Sequence, residues 1–186
     1  MAAAVRRARR RWPAFAGAAL AGGFIVAMVL SGGRPQSQWL VRTDAAGVMR
    51  ETPDRISRVE VTADGRRLAF VRAASGWTTA APERPVPAAL AADLELGLRF
   101  MHVSAPVRVM PRAEHQATPL QQFGLDPPRY TISLSTGARP VLEARFGAPN
   151  PQKVLQYMQL RGRDDVYLMS RFVGQKWEAI VAGAGS

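Results

Sequence analysis

The chain has 186 residues, of which 47% are hydrophobic, enough for one domain with a real core and an additional segment. It has no cysteine, which excludes a disulfide framework and a thiolate metal site and is silent on compartment. A net charge of +11 invites a nucleic-acid reading, but Arg6, Arg7, Arg9, Arg10 and Arg11 hold five of the 25 basic groups, and the other 20 face 14 acidic ones, a thin excess of +6.

Residues 1–12 read as a basic cytoplasmic tail. Residues 13–30 carry no charge and as a helix would span about 27 Å at roughly 1.5 Å per residue, the pattern of a transmembrane helix. Five arginines precede this stretch and only Arg34 follows closely, so the positive-inside bias places the N-terminus in the cytoplasm and the rest across the membrane. A cleaved signal peptide is the alternative, with Ala19-Leu20-Ala21 as its small-x-small site. Ala14, Ala18 and Gly22 share one helical stripe and Ala19, Gly23 and Ala27 another, a spacing that lets helices approach in lipid, although an Ala-rich composition also produces it. Residues 31–38, rich in Gly, Pro, Ser and Gln, read as a flexible tether.

The outer domain is expected over residues 39–181, beginning with a short apolar lead-in at 39–43. Residues 56–62 form a strand with Val59 and Val61 on one face, and Asp64-Gly65 signals a tight turn of positive φ that returns Leu68 and Phe70 to the same core. Ala74-Ser75-Gly76 turns the chain again, Trp77 begins a third extended piece, and Pro82, Pro85 and Pro87 mark a loop. Residues 88–101 then form a helix whose Leu90, Leu94, Gly97, Leu98 and Met101 share one stripe.

Residues 103–110 read as an edge strand or a loop, because Pro106 and Pro111 restrict pairing, and 112–122 as a polar connector. The connector ends at Phe123-Gly124-Leu125-Asp126-Pro127-Pro128, a rigid corner. Gly124 permits positive φ there, the prolines hold φ at about −65°, and Tyr130, Ile132 and Leu134 follow as one face of a strand. Residues 141–146 form the hairpin partner, with Leu142, Ala144 and Phe146 alternating. A second hairpin joins 154–160 to 166–169 around Arg161-Gly162-Arg163-Asp164-Asp165. Ser170 is placed to cap a last helix in which Val173, Trp177 and Ile180 share a face, and 182–186 read as a frayed, disordered tail. The sum is an α+β fold: one N-terminal transmembrane helix, then a mostly antiparallel sheet of β-meanders with two helices on one face. Each half is a meander followed by a helix, which hints at a duplicated unit.

A Val/Ile strand pair closed by Gly76-Trp77, a proline-rich lead into a Leu-rich helix, the Phe123-to-Pro128 phrase, a hairpin ending at Phe146-Gly147, a strand around Tyr157, and Val166-Tyr167-Leu168 follow one another in the chain. In that order they resemble the bacterial domain-of-unknown-function family numbered 4340, over residues 39–181. The resemblance implies a single N-terminal anchor in the bacterial inner membrane and a periplasmic domain. For some members it implies association with ABC-type transport systems likened to gliding-motility auxiliary components. It implies no catalytic or cofactor residue.

His102 and His115 are the two histidines, on different elements and without the spacing of a metal pair. Asp126 reads as an acceptor of backbone N–H bonds in an Asx-type turn rather than a base. Asp164 and Asp165 sit beside Arg161 and Arg163 in a hairpin tip, a solvated and internally compensated turn; paired catalytic carboxylates would need burial to separate their pKa values. There is no Gly-x-Ser-x-Gly elbow, phosphate loop or Ser-x-x-Lys, and Trp77 and Trp177 read as core aromatics rather than a ligand cage. Arg66, Arg67, Arg108, Arg112, Arg129, Arg139, Arg145, Arg161 and Arg163 could face a nucleic acid, but they alternate with core positions as solvent-facing residues do. Outside the cytoplasm, anionic lipid headgroups or an acidic partner protein suit the same charges better.

The expectation is a non-enzymatic, membrane-anchored extracytoplasmic accessory subunit of an envelope transport or assembly complex. It would use no cofactor and bind an integral-membrane or envelope protein rather than nucleic acid. The alternative is an extracytoplasmic domain that takes a small molecule or glycan in a cleft near the Phe123-to-Pro128 corner. A hydrolase, more remote, would need a carboxylate or histidine buried with a partner.

Overall fold

The computed structural model of the chain describes residues 21–24, 26–27 and 47–184. The basic tail, the tether, the lead-in at 39–43, Ala14, Ala18 and most of the stretch 13–30 lie outside the described residues; of that stretch, residues 21–24 and 26–27 are helical and exposed. No helix among the described residues is long and apolar enough to cross a membrane. The chain divides into two compact units, Met1–Thr43 and Asp44–Ser186.

The second unit contains β1 (Arg58–Ala63), β2 (Arg66–Ala73), β3 (Gly76–Ala80), β4 (Glu83–Pro85), α1 (Ala88–Val103), β5 (Arg108–Met110), α2 (Arg112–His115), β6 (Tyr130–Thr136), β7 (Arg139–Pro149), β8 (Leu155–Leu160), β9 (Val166–Ser170) and α3 (Arg171–Gly183). It is α+β, with all the strands in one nine-stranded antiparallel sheet of order β4-β3-β2-β1-β6-β7-β8-β9-β5. Asp64 and Gly65 both have positive φ, at 50° and 72°, the conformation that the tight turn between β1 and β2 demands. Each half is a four-stranded meander followed by a long helix. The halves meet where their first strands, β1 and β6, pair from Arg58↔Ser135 to Ala63↔Tyr130.

The period-two pattern buries one face of this sheet: Val59 and Val61 on β1, Ile132 and Leu134 on β6, Ala144 and Phe146 on β7, and Met158 on β8. Over that face lie α1, through Leu90, Leu94, Leu98 and Met101, and α3, through Val173, Trp177 and Ile180. The two helices approach closely because Gly97 carries no side chain; a Cβ there would stand 3.2 Å from the Trp177 ring.

Several expectations need correction. The proline-rich loop contains the edge strand β4, since prolines are tolerated at an edge where the N–H faces away from the ladder. The 103–110 segment resolves as α1 ending at Val103, then the edge strand β5, paired with β9. The polar connector is structured, holding α2 and a 3-10 turn at Leu120–Phe123. The two long helices lie on one face as expected, while this connector packs on the opposite face near β8, where Phe123 meets Tyr157 with ring centroids 5.0 Å apart. Ser170 occupies the N-cap of α3 without a side-chain cap bond. The expected tail from residue 182 is helical through Gly183, because the Ala184 N–H still donates to the Ile180 carbonyl at 3.1 Å.

Candidate interaction surface

The corner is built from the backbone outward. Gly124 ends the 3-10 turn with φ 64°, and a Cβ there would lie 2.7 Å from the Ala148 nitrogen on β7. A Cβ on Gly147 would collide with the Phe123 carbonyl oxygen. Leu125 is completely buried, so the corner backbone rests directly on β7 with its own side chain filling the space beneath. Asp126 and Pro127 are joined by a cis peptide bond. Asp126 is exposed and accepts from the Gln121 side-chain amide at 2.6 Å, so it is tied to a side chain rather than to the backbone N–H groups expected.

The histidines do not meet. His102 lies 3.1 Å from the Met49 carbonyl oxygen. His115 is buried, edge-on to Phe123, with Nε2 3.0 Å from the Asp164 carbonyl oxygen and no hydrogen-bond partner at Nδ1 among the described residues. Its partner is thus a backbone carbonyl and not a carboxylate, which makes it an anchor for the β8–β9 turn rather than half of an acid–base pair. Among the described residues, no group of three or more His, Asp or Glu is placed to hold a metal ion. Trp77 is buried, donates to Glu95 at 2.8 Å and carries Arg72 over its ring, whereas Trp177 is fully buried between the helices. Of the two expected packing stripes, Gly22, Gly23 and Ala27 are described, and nothing among the described residues stands within 4 Å of the Cβ position at Gly22 or Gly23.

Sequence reasoning missed a polar network inside the main core. Gln156, fully buried on β8, donates to the Gly147 carbonyl at 2.9 Å and accepts from Arg171 at 2.8 Å. Arg171 also donates to Glu178 at 2.6 Å, and the Tyr130 hydroxyl donates to the Gly174 carbonyl at 2.9 Å. Burial, with the Glu178 carboxylate beside it, pushes the Tyr130 phenol well above its ordinary range, so it stays a protonated donor. The available signal was Gln156 itself, a polar residue in phase with the core residue Met158.

At the end of the molecule where α1 stops, α3 starts and β5 closes the sheet, apolar side chains face solvent. Phe172 is 48% exposed, Val103 50%, Val107 61% and Val109 42%. Phe172 packs edge-on against Phe100 with centroids 4.9 Å apart, and the Val107 N–H donates to the Leu168 carbonyl of β9 at 2.9 Å. The outer edge of β5 pairs with no strand among the described residues. A Phe lying off the apolar stripe of α3 was the visible hint.

Grooves of about 860, 680, 590 and 400 Å³ indent the surface. None of these four is lined by residues 123–128, and the smallest begins just after the corner, at Arg129 and Tyr130.

No protein-family model matches this chain, and neither a curated protein nor a solved structure does. The resemblance to family 4340 rests on the order of its sequence phrases.

Proposed function

We propose that this chain is a non-catalytic, membrane-anchored accessory subunit of a bacterial envelope transport or assembly complex, its folded domain on the periplasmic side. The observation that carries this reading is the solvent-facing strip of Phe172, Val103, Val107 and Val109 beside the outer edge of β5, which pairs with no strand among the described residues. Several large apolar side chains gathered at one end cost hydration unless something covers them, and an open strand edge offers backbone donors and acceptors to the same neighbour. The uncharged stretch 13–30 supplies the membrane anchor in this reading. Leu125 and the β7 backbone fill the space under the corner itself, so a ligand cleft near it would have to use the groove of about 400 Å³ that begins at Arg129 and Tyr130.

The test is affinity capture from gently solubilised membranes with the native chain and with Phe172→Asp. An integral-membrane partner recovered with the native chain and lost with the variant, at unchanged circular dichroism, is the expected result. Recovery of the chain alone, or of the same partner with both, overturns the reading.

A further inference from the structure

We propose that the open face of the sheet, opposite α1 and α3, binds an extended acidic peptide segment. The inference deepens the reading of the chain as an interaction module by assigning a second surface and the chemistry of its partner. Strand alternation puts Arg58 and Glu60, Ser133 and Ser135, and Glu143 and Arg145 on the side away from the buried Val59, Ile132 and Ala144. The connector covers this side near β8, and the groove of about 860 Å³ runs over β1, β6 and β7.

Four guanidinium groups share this face with two carboxylates: Arg58 and Arg161 line the groove with Glu60 and Glu143, and Arg67 and Arg145 lie on the same face beside it. Glu60 accepts from Arg58 Nε at 2.7 Å and from Arg67, and Glu143 accepts from Arg161 Nη1 at 2.7 Å. Arg58 and Arg161 each spend one nitrogen on a carboxylate, so further N–H donors of both forks stay available. Arg145, and Arg163 on the groove rim, make no ion pair among the described residues.

The arrangement suits a peptide better than other anions. A bilayer surface is flat and would press phosphates against Glu60 and Glu143, whereas a peptide brings carboxylates for the arginines and N–H groups for the glutamates. Single-stranded nucleic acid needs aromatic platforms, and Tyr157 on this face is packed against Phe123, the two rings tilted by 57°. Arg67 and Arg145 lie in one cross-sheet row through Thr62 and Thr131. Three strand spacings separate them by about 14 Å, which matches roughly four residues of extended chain. Glu or Asp at i and i+4 would reach both.

The experiment measures fluorescence anisotropy of a labelled peptide with Glu at i and i+4, against its Gln analogue, titrated with the full chain in detergent. The double variant Arg145→Ala, Arg163→Ala breaks no ion pair, and its thermal melt should match the native chain. We expect binding weakened about tenfold by that variant and by the Gln analogue, and weakened by salt, with Arg99→Ala on α1 neutral. Absence of saturable binding, equal loss with Arg99→Ala, or arginine-dependent binding to phosphatidylglycerol vesicles or an oligonucleotide in place of the peptide would overturn the inference. Phe172→Asp should leave peptide affinity unchanged, so failure here with partner capture intact sinks this inference alone.

Discussion

Gly124 shows how one residue can be forced by backbone geometry. Its φ of 64° is costly for any side chain, and its Cβ position is blocked at 2.7 Å by the Ala148 nitrogen, a backbone atom that cannot turn aside. Gly124→Val should therefore cost about 2–4 kcal/mol, read as a lower urea midpoint at unchanged slope. Glu60 offers a pH readout. Burial opposes its charge, but hydrogen bonds from Arg67 and Arg58 outweigh it and hold the carboxyl below its ordinary value of 4.5. Its folded pKa lies below the unfolded one, so this stabilisation is present above pH 4.5 and is lost as pH falls through the folded pKa. Glu60→Gln should cost about 0.5–1 kcal/mol at pH near 7 and almost nothing at pH near 3, measured by urea denaturation at both. An equal cost at both would show that the pairing with Arg58 and Arg67 contributes nothing.

At the scale of elements, α1 and α3 meet through a small-for-large exchange. Gly97 leaves room for the Trp177 ring at 3.2 Å and the Ile180 Cδ1 at 3.3 Å. Gly97→Leu would overpack this contact and should destabilise the domain by about 1–3 kcal/mol despite the better helix propensity of leucine; a higher melting temperature would mean that the helices can slide apart. The sequence made these helices legible because their apolar stripes recur at helical spacing. The connector was illegible for the opposite reason. Its inward-facing residues, the buried His115 and the half-buried Phe123 at its end, are too few and too widely spaced to show a period, and they pack on Asp164 and Tyr157, more than thirty residues away.

The whole domain is one sheet assembled from two meanders that meet at β1 and β6. Neither half can bury its own face: Gly97 of the first helix is covered by Trp177 and Ile180 of the second, and Val61 of β1 pairs with Ile132 of β6. Residues 47–107 and 108–184 expressed separately should each remain unfolded. Mixed, they should regain native circular dichroism, and a half that folds alone would show that the seam is dispensable.

The α+β class, the turns at Asp64-Gly65 and Gly124, the apolar stripes of both long helices and the alternation along β1, β6 and β7 were legible in the chain alone, because each depends on residues close together in it. It took the folded arrangement to make β1 and β6 the seam, to join Gln156 to Arg171 inside the core, and to leave Phe172 and Val107 facing solvent. Those outcomes depend on which distant surface arrives opposite a residue, and local periodicity carries no record of that.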